Sequence, residues 1–201
     1  MKKLTFVAAA LAAGLAVSGT AAAPIILRAV PGQRARLDGG TSKNPILTVT
    51  GSYVWIWGLE IFSSSTTRSD RGNGIWLNTN GQRDIKLINL MVHNASQGMS
   101  LWSGARDVEV YGCIVFHNGN QGPERGHGHS AYVQNRDGKK IFRDNIMFGG
   151  FSYGLHCYGS SAAYVRGIEA IGNVFISAGA LSSTKGGGLN IYMGAGSPAE
   201  G

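Results

Sequence analysis

Gly74-Ile75-Trp76-Leu77-Asn78 recurs as Gly98-Met99-Ser100-Leu101-Trp102, as Ser130-Ala131-Tyr132-Val133-Gln134, as Gly154-Leu155-His156-Cys157-Tyr158, and as Gly188-Leu189-Asn190-Ile191-Tyr192. The steps between copies are 24, 32, 24 and 34 residues. In every copy the second and fourth residues are apolar, while the third and fifth are polar or aromatic. Alternation with a period of two is the signature of a strand with one buried face. Recurrence at a fixed spacing makes that strand one element of a repeating coil.

Two more strands keep the same rhythm. Arg83-Asp84-Ile85-Lys86-Leu87 is echoed by Arg106-Asp107-Val108-Glu109-Val110. Leu90-Met91-Val92, Cys113-Ile114-Val115, Ile146-Met147-Phe148 and Val174-Phe175-Ile176 form a third set. Asparagine precedes it in one recurring slot, at Asn89, Asn145 and Asn173, with Gly112 replacing it once. Three short strands and three turns in about 24 residues make one rung of a right-handed parallel β-helix. A single rung cannot bury its own apolar face, but rungs stacked roughly 4.8 Å apart share hydrogen bonds and one continuous core. Asparagines at a stacked bend can pair their amides into a ladder. The expected architecture is all-β, with about five to six rungs of three strands. A leucine-rich horseshoe would need a repeating leucine-asparagine pattern and a helix. A propeller blade would need roughly 40 residues.

The flanks add compartment and charge. Lys2 and Lys3, the uncharged run Leu4 to Val17, and the small residues Ser18 to Ala23 read as a secretory signal peptide, too short for a comfortable membrane span. Cleavage after Ala22 is expected, giving a leader at 1–22, a domain at 23–201, and an exported, periplasmic or extracellular product without an integral membrane segment. Loss of both lysines lowers the net charge of +7 by two. A basic exported protein is biased toward anionic partners, though such charge also serves solubility alone. The basic residues form no stripe interleaved with aromatics, so nucleic acid is not expected. Cys113 and Cys157 fall in non-adjacent coils, and no disulfide is expected between them.

Pro24-Ile25-Ile26-Leu27-Arg28-Ala29-Val30-Pro31-Gly32 through Leu37-Asp38-Gly39-Gly40 resembles the opening coils of the pectate-lyase-like β-helix superfamily. Ile46-Leu47-Thr48-Val49-Thr50-Gly51-Ser52-Tyr53-Val54-Trp55-Ile56-Trp57-Gly58-Leu59-Glu60 is similar to it as well, nearest to the chondroitinase-B and alginate-lyase branch. The resemblance spans the mature chain and rests on structural segments. It implies a β-helix, makes calcium a possible cofactor, and carries over no catalytic residue. Such proteins usually begin with a cap before this first strand and continue beyond Gly201. The chain therefore reads as truncated, and self-association through open ends is expected.

Chemistry is expected on the outward face of the first strand. One outward column reads Trp76, Ser100, Tyr132, His156, Asn190, and the other reads Asn78, Trp102, Gln134, Tyr158, Tyr192. Aromatic faces pack on pyranose C–H surfaces while amides and hydroxyls bond sugar hydroxyls, so Trp76, Asn78, Trp102, Tyr132, Gln134, Asn190 and Tyr192 are the candidate substrate-binding residues. The alternative is a wall covered by loops and merely packed. The insertion Gly119 to His129 is expected to fold over this wall at Tyr132, His156 and Tyr158, forming a cleft. Neither column holds a carboxylate, which disfavours a glycosidase, and no acidic calcium cluster is visible. Uronate β-elimination instead needs a carboxylate neutraliser, a base and a proton donor. Arg125, His129, Lys140, Arg143, His156 and Tyr158 are the candidate catalytic residues, with Lys139 nearby. The histidines are alternatively metal ligands or solvated loop residues, and the metal is unknown. His93 and His117, each followed by asparagine, read as equivalent turn residues. The leading expectation is an acidic-polysaccharide lyase; the alternative is a non-catalytic carbohydrate-binding or surface-structural β-helix.

Overall fold

A computed structural model of the 201-residue chain describes residues 13–159, 164–184, 188–194 and 199–200. The chain winds as a parallel β-solenoid of about five turns, its helical content a single 3-10 turn at Arg68–Asp70 among the described residues. Three parallel sheets run its length. The first stacks Ala13–Leu15, Leu47–Val49, Ile75–Leu77, Met99–Leu101, Ala131–Val133, Leu155–Tyr158 and Ile191–Gly194. The second stacks Ile25–Arg28, Val54–Trp57, Gln82–Ile88, Ala105–Tyr111, Lys140–Arg143 and Ile168–Ile171. The third stacks Ala35–Asp38, Leu59–Phe62, Met91–His93, Ile114–Phe116, Ile146–Phe148 and Val174–Ile176.

The inward residues are those the alternation selects. Ile75, Leu77, Met99, Leu101, Ala131, Val133, Leu155 and Cys157 are fully buried in one apolar column pair. Ile85, Leu87, Val92, Val108, Val110 and Val115 close the other two sides. The glycine that opens three of the first strands, at Gly74, Gly98 and Gly154, is a steric demand. A side chain at Gly74 would collide with the carbonyl oxygen of Gly98, and one at Gly98 would collide with that of Ser130.

The last rung departs from the expected register. Ile191 pairs with Leu155, and Met193 rather than Ile191 continues the column of Leu77, Leu101, Val133 and Cys157. The offset is two residues. A shift of two preserves the inward and outward pattern, so alternation cannot detect it. Ile191 and Met193 are 47% and 50% exposed, and Ile171, Val174, Ile176 and Leu189 beside them are also exposed.

The asparagine slot is two adjacent columns. Asn89, Gly112, Asp144 and Gly172 share a left-handed turn position, with φ between 49° and 65°. The next residues, Leu90, Cys113, Asn145 and Asn173, point inward. Asn145 and Asn173 do form a ladder: the Asn145 backbone N–H and Nδ2 both donate to Asn173 Oδ1, at 3.0 and 2.8 Å. Asn145 Oδ1 accepts from the Cys113 N–H, and Nδ2 also donates to the Val110 carbonyl. Cys113 imitates an asparagine, its thiol donating to the Leu87 carbonyl and its sulfur accepting from the Leu90 N–H. Asparagine suits both a left-handed turn and an inward bend, which is why the sequence merges the two slots.

His93 and His117 are not equivalent. His93 ends a third-sheet strand in register with Phe62 and Phe116, stacked between their rings at 5.3 and 4.7 Å, while His117 follows in a left-handed turn. Around His93, Nε2 lies 3.0 Å from Glu60, which Arg34 and Arg36 also hold. Residues Ala13–Leu15, within the expected leader, pair with Leu47–Val49, and the Gly19 N–H donates to the Ser52 carbonyl. No helix among the described residues is long and apolar enough to cross a membrane.

Candidate functional site

Stacking places the outward residues of the first sheet in two columns along the solenoid axis. Trp76, Ser100, Tyr132, His156 and Tyr192 form one; Asn78, Trp102, Gln134 and Tyr158 form the other. The two-residue offset moves Tyr192 into the His156 column. It removes Asn190 from the wall altogether: its Oδ1 accepts from the Ala178 N–H. The rings make a continuous path across the coils. Trp76 and Trp102 lie 5.4 Å apart, Trp102 and Tyr132 5.0 Å, Tyr132 and His156 5.0 Å, and His156 and Tyr192 5.2 Å.

His129 enters this wall from the end of the inserted loop. Its ring stacks on Tyr153 at 5.2 Å and on Tyr132 at 5.6 Å, and meets His156 edge-on at 4.3 Å. The rest of the insertion runs elsewhere. Asn120–Gln121 and Gly126–His127 form a small antiparallel hairpin, and Gln121 bonds Ser182, Ser183 and Thr184. A side chain at Gly126 would collide with the Phe151 carbonyl. The hairpin is thus tied to the segment at Ser182–Thr184, and it is the last residue of the insertion, His129, that joins Tyr132 and His156. Tyr153, which the alternation pattern passes over because it lies in the turn before Gly154, links His129 to Tyr192 by ring stacking.

The two imidazoles have a defined direction. The Tyr153 backbone N–H points at His129 Nδ1, 3.3 Å away, so that nitrogen is an acceptor. A neutral His129 then carries its proton on Nε2 and donates to His156 Nδ1 at 3.0 Å. His156 in turn keeps its proton on Nε2 and presents an N–H donor. Burial, with the neighbouring charges of His156 and Arg125, pushes His129 down to about 3. Burial and Arg125 push His156 down to about 4. Both stay neutral in the folded chain where an unfolded histidine would already take a proton. The unfolded state therefore binds more protons below about pH 6.5, so stability falls as pH drops from there toward 4. Chemical unfolding at pH 6.5 and 4.5 should show this loss, and His156→Gln should reduce it; an unchanged pH slope would mean that His156 is not the group responsible.

The remaining candidates separate. Arg125 is exposed on the hairpin. Arg143 lies on the outer end of the second sheet, in register with Tyr111, away from the wall. Lys139 pairs with Glu169 on that same sheet. Lys140 is not on the surface at all. It occupies the inward column of Val54, Ile85, Val108 and Ile168 and is 0% exposed. A lysine that follows Asp137, Gly138 and Lys139 reads as a surface residue, and only the strand register reveals that this one faces in. Among the described residues no group of three or more His, Cys, Asp or Glu side chains is placed to hold a metal ion. Comparison with known protein families, with curated proteins and with solved structures finds no match.

Proposed function

We propose that this protein is an exported β-helix of the pectate-lyase-like type that binds an acidic polysaccharide along the wall from Trp76 to Tyr192. The carrying observation is the unbroken path of aromatic rings across successive coils. Sugar rings would stack on the indoles and phenols, with the exposed Asn78 bonding hydroxyls, while Gln134, 8% exposed, donates to the Tyr132 hydroxyl from within the wall. The neutral His156 N–H and the Arg125 guanidinium would receive a uronate carboxylate, in keeping with the basic charge of the chain.

A second reading, β-elimination, is favoured by Tyr132 and Tyr158, whose rings lie 5.0 and 5.5 Å from His156. In that reaction a base removes the C5 proton, the C4–O bond breaks, a C4=C5 double bond forms, and the leaving oxygen takes a proton. The site supplies donors more readily than a base. Lys140 is enclosed, His156 offers its N–H, and burial raises the Tyr132 hydroxyl above its usual range. Binding is therefore the primary reading.

The test is calorimetric titration with polygalacturonate, alginate and a neutral glucan. Anionic chains should bind, and Trp102→Ala should weaken them roughly tenfold, equivalent to about 1.4 kcal/mol. Unaltered affinity in Trp102→Ala, or preference for the neutral chain, would overturn the reading. Growth of unsaturated-uronate absorbance during incubation would establish elimination.

A further inference from the structure

Lys140 stands in a column of aliphatic residues inside the solenoid, and its ammonium has left water completely. Such burial is costly unless the charge is fully hydrogen-bonded. Here it is. Nζ donates to the carbonyls of Trp102 at 2.6 Å, Gln134 at 2.7 Å and Leu101 at 3.2 Å. Three acceptors match the three N–H bonds of the charged form. Trp102 and Gln134 are successive members of the outer column, one coil apart. Gln82 makes a shorter version of this contact earlier in the chain. Buried like Lys140, it donates through Nε2 to the carbonyls of Val49 and Gly51 at 2.7 and 3.0 Å. The first-to-second-sheet turn is thus fastened from inside at two levels, and at the level of Trp102 the fastener carries a charge.

We propose that Lys140 is a positioning residue for the wall: its enclosed ammonium ties together the backbone beneath Trp102 and Gln134 and sets where their side chains stand. The consequence for ligand rests on the reading of this wall as a polysaccharide-binding face; the clamp itself does not. A clamp that needs all three N–H bonds weakens when the proton leaves. Burial draws this lysine down to about 7, against a smaller opposing pull from the Cys157 thiol. The groups around it titrate elsewhere. Across the core Cys157 is pushed up to about 12 by burial. On the outer side His129 and His156 are held near 3 and 4, and Tyr132 is raised. Arg136, Asp137 and Lys139 in the adjoining turn are exposed.

The experiment follows the Trp102 indole N–H resonance of 15N-labelled protein from pH 5.5 to 9, together with calorimetric titration of polygalacturonate. In the unmodified chain the resonance should move with a midpoint at about pH 7. In Lys140→Met it should be displaced and flat, and affinity at pH 6 should fall about fivefold to tenfold from lost preorganisation. Trp102→Ala assigns the resonance. A Trp102 resonance that stands at the same position in folded Lys140→Met or Lys140→Gln as in the unmodified chain overturns the clamp, whether or not any polysaccharide binds. A titrating signal without polygalacturonate binding leaves the clamp standing and removes the binding reading instead.

Discussion

Leu155→Ala should unfold at markedly lower denaturant than the unmodified chain, with a loss of about 2–5 kcal/mol. Leu155 is fully buried between Ala131 and Ile191 in the inward column, and stacked coils on both sides limit collapse into the cavity. Its neighbour His156 points the opposite way. His156→Ala removes the hydrogen bond to His129 and the ring contacts of the wall, yet leaves Leu155 and Cys157 in the core. The expected cost is about 1–3 kcal/mol, because the buried His129 N–H loses its acceptor, with unchanged circular dichroism. Paired urea denaturation of the two variants decides the matter. If His156→Ala unfolds as early as Leu155→Ala, His156 belongs to the core and the outer wall is not a separate face.

Asn145→Ala is the second large effect. Asn145 is fully buried, and truncation strands the Cys113 N–H and the Val110 carbonyl while Asn173 Oδ1 loses one of its two donors. Each buried group left without a partner costs about 1–3 kcal/mol, so the loss should rival that of Leu155→Ala although far less apolar surface is removed. Asn89→Ala is the control. Asn89 lies one column away, in the left-handed turn, where the penalty is the backbone strain at φ 49° rather than a broken ladder. That cost is about 1–2 kcal/mol. Equal effects of the two substitutions in thermal unfolding would mean that the ladder contributes nothing beyond the turn.

By itself the sequence determined the repeat, the three-strand rung, and the face each first-strand residue presents, because alternation and recurrence are written in residue types. It also placed Trp76, Trp102, Tyr132, Gln134, His156 and Tyr158 on one outer wall. Tertiary structure decided whatever depends on which residue stacks over which. Periodicity of two cannot separate Asn190 from Tyr192 as the neighbour of His156, and only the hydrogen bonds from Gly154 and Leu155 to the last coil do so. Asparagine serves turn and ladder alike, so Asn89 and Asn145 are told apart by inter-coil bonding alone. Lys140 shows the same limit at its sharpest. Its charge marks it as a surface residue, yet the carbonyls of Leu101 and Trp102, 39 and 38 residues away in the preceding coil, converge on it with that of Gln134 from its own coil. A buried charge is tolerated only where the folded backbone supplies its partners, and those partners exist only once the coils have stacked.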